Sequence, residues 1–298
     1  MFIIKHKKVF VLISIALVIL SIASIAVFHL KPGIDFKGGS LMEVQYTGVR
    51  PDQATVAGEL ASLNLGETLI QPTGTDGYSI KTRDITEAER TGILSALGSD
   101  ASEKTFTSIG PSVGAELVRK SIISFILVAL GIIFFLAFSF RKVSKPVSSW
   151  KYGLIAIVTL IHDIMIPVGA FAALSHFYGT EIDTLFIVAI LTVLGLSVSD
   201  TIVVFDRIRE NIRVGHFKTF EETVGKSLTQ VYTRSIATSF AVIVVLLALV
   251  FFGPASTKVF ALMLTAGMFF GTYSSIFLAS PLLVLVKEWQ DKKAGKKK

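Results

Sequence analysis

The stretch GLSVSDTIVVFDRIREN, residues 195–211, ends an oily run that begins near Thr184, and it carries a carboxylate, Asp200, before the chain reaches the watery DRIREN. The run 184–205 is apolar and long enough to span a hydrocarbon core of about 30 Å. Counting from Thr184 at 1.5 Å per residue places Asp200 roughly 24 Å along a helix, short of the headgroups where Asp206 and Arg207 begin. A carboxylate at that depth is costly, and it marks either an ion or proton path or a structural hydrogen bond to another helix. At 100° per residue Thr192, Gly195, Ser199 and Asp200 share one arc, a small and polar face that lets another helix approach closely.

Outward from this stretch the chain repeats the pattern. Apolar runs at about 9–30, 121–140, 152–175, 184–205, 236–253 and 259–286 each approach the roughly 20 residues of a membrane span, which predicts six transmembrane helices. With 52% hydrophobic and 17% charged residues over 298 positions, the composition excludes an ordinary soluble domain. The first run is longer than a signal-peptide core and lacks an A-x-A-like site, so it is expected to be a retained anchor. The basic KHKK (5–8), RKVSK (141–145), 206–234 and KKAGKKK (292–298) segments flank these runs, whereas 176–183 has no lysine or arginine and 254–258 only Lys258. That asymmetry puts both termini in the cytoplasm and 31–119 outside. The net charge of +7 is thereby explained by topology and lipid headgroups, and no nucleic-acid partner is expected. No cysteine is present, and His6, His29, His162, His176 and His216 show no metal-ligand spacing, so neither metal nor cofactor is expected.

The exterior segment has its own grammar. LMEVQYT (41–47), ETLIQ (67–71), YSIKTR (78–83) and EKTFTSI (103–109) read as strands, with a TGTDG hairpin turn between the second and third. PDQATVAGELASL (51–63) reads as a helix opened by Pro51, and TEAERTGILSAL (86–97) as a helix capped by Thr86 with Glu89 at the capping-box spacing. The order βαββαβ is that of a ferredoxin-like α+β domain. The fold class predicted is therefore an α-helical integral membrane protein of six transmembrane helices with one exterior ferredoxin-like domain. The division is helix one at 9–30, the exterior domain at 31–119, helices two to six at 120–286, and a basic cytoplasmic tail at 287–298.

Other polar residues sit in or near the oily runs. Arg234, near the inner start of helix five, is a candidate partner for Asp200; snorkelling to lipid phosphates is the other reading. Asp163 falls roughly 18 Å into helix three, a secondary intramembrane polar site together with Ser199, and function and structural bonding stay open for it. Pro167 suggests a local kink, and His162 is expected to point elsewhere as a packing histidine. Gly267, Gly271, Ser275 and Ala279 form one small-residue ridge whose partner is undetermined. The 206–229 segment is expected to form one or two interfacial amphipathic helices. In PGIDFKGGS, residues 32–40, Gly33, Gly38 and Gly39 permit unusual backbone angles and tight packing, and no G-K-[ST] follows that would make a phosphate loop.

Three motifs coincide in order: GIDFKGGSLMEV after the first span, SIGPSVGAEL before the second, and LGLSVSDTIVVFDRIREN closing the fourth. With the six-helix topology they resemble the SecF family, smaller subunits of the SecD–SecF accessory complex of bacterial protein export, and more distantly the resistance-nodulation-division transporters. The resemblance implies a transport subunit and no enzyme, in the bacterial inner membrane, with SecD, the SecYEG translocon and exported polypeptides as partners. It implies that Asp200, matching the acid of the family's NDT or NDS motif, and Arg234 belong to a proton pathway. Ser199 stands where Asn is usual, and SecD supplies a further intramembrane acid. Gly33, Asp35, Gly38 and Gly39 carry the family's structural motif. Competing readings are a proton-coupled small-solute or drug exporter, an intramembrane aspartyl protease of Asp163 and Asp200 that lacks the G-x-G-D signature, and a structural assembly factor.

Overall fold

The computed structural model describes residues 2–140, 147–215 and 217–295; the basic run at 141–145, His216 and the last residues of the tail lie outside the described residues. In chain order the elements are α1 (Phe2–Lys5), α2 (Lys7–Phe28), α3 (Ile34–Lys37), β1 (Gly39–Tyr46), α4 (Gln53–Leu60), β2 (Leu69–Thr73), β3 (Gly77–Thr82), α5 (Glu87–Ala96), β4 (Ala101–Ile109), α6 (Pro111–Phe140), α7 (Ser149–Tyr178), α8 (Thr184–Val214), α9 (Phe220–Phe252), α10 (Ala255–Ser274) and α11 (Ser280–Gly295). They divide into two compact units, one of Lys31–Ser124 with Glu181–Thr184, the other of the remaining segments.

The smaller unit is a four-stranded antiparallel sheet in the order β2-β3-β1-β4, with α4 and α5 as the two helices of a βαββαβ chain. Alternation along β1 buries Met42, Val44 and Tyr46 on the face that also takes Tyr78 and Ile80 from β3. Val56, Leu60 and Ile93 complete this core from the helices. Each fully buried aliphatic side chain contributes about 1.5–3 kcal/mol. The α4 cap differs from the expectation: Asp52, not Pro51, opens the helix, its carboxylate accepting from the Thr55 N–H at 2.8 Å. At α5 the capping box of Thr86 and Glu89 forms as read.

The larger unit is helical. Among the described residues six helices are long and apolar enough to cross a membrane: Lys7–Phe28, Pro111–Leu136, Trp150–Tyr178, Thr184–Val214, Phe220–Phe252 and Ser256–Lys293, the last containing α10 and α11. Between α10 and α11 a single π turn, Ser275–Ala279, precedes Pro281. Proline lacks the N–H that would close a regular turn, and the extra residue absorbs the mismatch. α7 runs through Pro167 without interruption. Nearby, Gly169 lets α2 approach so closely that a Cβ there would lie 2.5 Å from the Ser21 Cα, and Ser24 Oγ donates to the Gly169 carbonyl at 2.7 Å.

The 206–229 segment corrects an expectation. It forms no separate interfacial helices: α8 continues to Val214 and α9 already begins at Phe220. Their adjoining ends are tied by polar side chains, Asn211 Nδ2 donating to Ser227 Oγ at 2.8 Å and Arg207 Nε to Gln230 Oε1 at 2.7 Å. The ridge of small residues finds its partner within the chain. A Cβ on Gly267 would fall 2.1 Å from Val193 Cγ2 and one on Gly271 3.2 Å from Ser197 Cβ, so this face of α10 is pressed against α8.

Candidate functional site

The close approach of α10 to α8 gathers hydroxyls around two intramembrane acids. Asp163 on α7 is completely buried. Its Oδ2 accepts from Ser274 Oγ at 2.7 Å and from Ser197 Oγ, and its Oδ1 meets His162 Nδ1 at 2.8 Å. His162 therefore does not point elsewhere, as its helical angle had suggested. A buried polar group is costly without a partner, and this bond serves the carboxylate oxygen that the two serines leave free. His162 Nε2 is buried without a protein hydrogen-bond partner, and the ring stacks on Tyr273 with centroids 6.1 Å apart.

Asp200, one turn beyond Ser197 on α8, has a different environment. It is half-buried, and its Oδ2 accepts from Thr272 Oγ1 of α10 at 3.1 Å. Thr272 Oγ1 also bonds Ser239 Oγ of α9 at 2.6 Å, and the next residue on α8, Thr201, bonds Ser275 Oγ through its Oγ1 at 2.9 Å. The acid is thus held by neutral hydroxyls, and among the described residues no cation reaches ion-pair distance of it.

Arg234 is where this departs most from the sequence reading. Counting from Thr184 on α8 and from Phe252 on α9 gives Asp200 and Arg234 similar depths, roughly 24 and 27 Å. They nevertheless do not pair. Ser239, which reaches the Asp200 cluster, lies about 140° round the helix from Arg234, at 100° per residue. Arg234 consequently lies exposed on the surface of the chain. Ser199, Thr192 and Gly195 also lie exposed, with nothing within 4 Å of a Cβ placed on Gly195. The hydroxyls that hold the acids are Ser197 and Ser274 on Asp163 and Thr272 on Asp200, with Ser239 behind Thr272, and sequence reasoning missed them. A serine or threonine in an oily helix normally bonds its own i−4 carbonyl, as Thr192 does to Val188, so these four carried no distinguishing signal.

The motif residues at 33–39 occupy the smaller unit. Gly38 and Gly39 adopt φ of +80° and +139°, where a side chain is strained, and a Cβ on Gly39 would meet the Thr82 carbonyl at 2.6 Å. Gly33 keeps an ordinary φ, yet its N–H donates to the Ile182 carbonyl at 2.8 Å, and a Cβ would lie 3.0 Å from that oxygen. Asp35 Oδ2 accepts from the backbone N–H of Thr184 at 2.8 Å. The GIDFKGG and SIGPSVGAEL motifs touch: a Cβ on Gly114 would fall 2.9 Å from the Phe36 carbonyl, and one on Gly38 2.9 Å from the Pro111 Cα.

Comparison with known proteins identifies the family. The family described as protein export membrane protein SecD/SecF, C-terminal, matches residues 90–289, and the SecD/SecF GG motif matches residues 23–48. Protein translocase subunit SecF of Thermobaculum terrenum is 42% identical over 97% of this chain and 94% of its own length. That of Anaerolinea thermophila is 33% identical over 97% and 96%. The crystal structure of SecDF, a translocon-associated membrane protein from Thermus thermophilus, superimposes with a TM-score of 0.83 at 28% identity, covering 96% of this chain and 38% of that longer one. Six membrane-capable helices, a ferredoxin-like sheet, the glycine motif and near full-length similarity lead to one conclusion: this chain is a multi-pass membrane protein of the SecF family of protein translocase subunits.

Proposed function

We propose that this SecF-family subunit assists late steps of polypeptide export by passing protons through its membrane unit, with Asp200 as the group that takes up and releases them. The carrying observation is the contrast between the two acids. Asp163 is sealed among three side-chain partners, whereas Asp200 is half-buried and held by Thr272 on one oxygen. A carboxyl that exchanges protons has to be reachable, and its charge change has to alter a helix contact. Asp200 meets both demands at the α8–α10 interface. Asp163 is read as the structural acid of the same interface.

Arg234, Thr192, Gly195 and Ser199 lie exposed on spanning helices, and a cation facing lipid is costly, so this face is assigned to a protein partner. SecD is that partner, and the translocon and the exported chain are the further ones. Arg234 then acts from the surface of this chain, across the shared interface. Both termini lie in the cytoplasm, and the α+β unit on the opposite side of the bacterial inner membrane.

The test is Asp200→Asn, nearly isosteric and unable to ionise. Translocation into inverted vesicles, with and without a proton gradient and normalised to assembled complex, is expected to lose its gradient-dependent part. Arg234→Met is expected to do the same. Full gradient-dependent export by Asp200→Asn at normal assembly would overturn the proton reading.

A further inference from the structure

The segment joining α7 to α8 is only 179–183, and a connection this short closes two antiparallel helices without help. Residues 181–184 are nonetheless bonded four times to the rest of the smaller unit. The Gly33 N–H donates to the Ile182 carbonyl and the Ile182 N–H to the Lys31 carbonyl, both at 2.8 Å, which makes a parallel bridge of Pro32 with Ile182. Lys81 of β3 pairs with Glu181 at 2.7 Å, both side chains about four-fifths buried. Asp35 accepts from Thr184, the first residue of α8 and one of the donors a helix start leaves without an intrahelical acceptor. Connections on a protein surface are ordinarily the loosest parts of a chain, so this density of bonds calls for a mechanical reason.

We propose that residues 31–35 fasten the start of α8 to the α+β unit, with Asp35 as the positioning residue, so that displacement of that unit is passed along α8 to Asp200. The carboxylate suits the task twice over. It accepts a backbone N–H as an N-cap does, and its charge favours the positive end of the helix. Fifteen residues of unbroken helix separate Thr184 from Asp200. A regular helix transmits a push or a tilt over such a length, whereas a slack loop absorbs it. Gly33 is required because any side chain would press on the Ile182 carbonyl that completes the bridge.

The inference rests on the proton reading for its functional arm only, and a structural arm tests it separately. Amide exchange is followed in the first turn of α8 in the full-length chain, purified with its partner in lipid nanodiscs. Asp35→Ala is expected to exchange there roughly tenfold faster, and Asp35→Asn, which keeps an acceptor oxygen, near the native rate. In export assays Asp35→Ala is expected to lose most of the gradient-dependent stimulation at normal assembly, with Asp35→Asn retaining it. Lys81→Glu and Glu181→Lys are each expected to behave as Asp35→Ala does, and the double exchange to recover. Native exchange rates in Asp35→Ala, or full gradient response in that variant while Asp200→Asn is inactive, would overturn the fastening. If Asp200→Asn stayed active, the proton reading would fall and the exchange rates alone would decide this one.

Discussion

At the scale of single residues, chemistry is set by which atoms face a group. Glu89 lies partly exposed on the α+β unit, and two bonds from Arg83 and one from the Thr86 N–H hold its carboxyl well below the ordinary range, at about 2. A depressed carboxyl contributes stability that is present above its unfolded value and is lost as pH falls toward its folded one. The melting temperature of wild type is therefore expected to exceed that of Glu89→Gln at pH 6, and the gap to close between about pH 4.3 and pH 2. A gap unchanged at pH 2 would show that the cap acts without its charge. Glu89 was legible in the sequence because Thr-x-x-Glu is a local pattern. The surroundings of Asp163 and Asp200 were not, because Ser197, Ser239, Thr272 and Ser274 reach them from three helices, and no local rule says which hydroxyl turns inward. That Arg234 and Asp200 do not pair within the chain was hidden for a related reason: depth follows from counting, but facing depends on how α9 packs.

Among elements, close approach decides. Val193 is fully buried and β-branched, with little freedom to move aside for a methyl group on Gly267. Gly267→Ala is expected to destabilise the helical unit by about 1–3 kcal/mol, and Val193→Ala in the same chain to recover part of that. Gly195→Ala, on the open face of α8, serves as the control and is expected to leave thermal unfolding in detergent unchanged. Equal melting of all three variants would remove the α8–α10 contact as a determinant of packing. Hydropathy located the six membrane-capable helices, and alternation in LMEVQYT with the turn signal between the second and third runs helped to locate the strands, because each signal lies within one element or its turn. The adjoining ends of α8 and α9 escaped. Their charged residues looked like an interfacial surface, and only the bonds between Asn211, Ser227, Arg207 and Gln230 make the two helices one extended hairpin.

For the whole molecule, the two faces of the membrane provide the test. The natural chain has no cysteine, so single cysteines report without background. Cysteines replacing the exposed Thr75 and Ser148 are expected to label from opposite sides with a membrane-impermeant reagent, Thr75 from outside and Ser148 only once the inner face is opened. Labelling of both from one side would overturn the six-span orientation. The sequence order βαββαβ was enough to name the small unit, but not to include Glu181–Thr184 in it, since that segment lies beyond two further helices. This late arrival bears on how the protein is made. β4, the last strand of the sheet, ends at Ile109, and the partner of Pro32 is not synthesised until Ile182. At 5–20 residues per second the ribosome needs about 4–15 s to cover that stretch. The sheet has time to fold first, with Asp35 and the Gly33 N–H still facing water. Closure of the Pro32–Ile182 bridge then follows the placing of α6 and α7, so it records that the spans were inserted in the correct order.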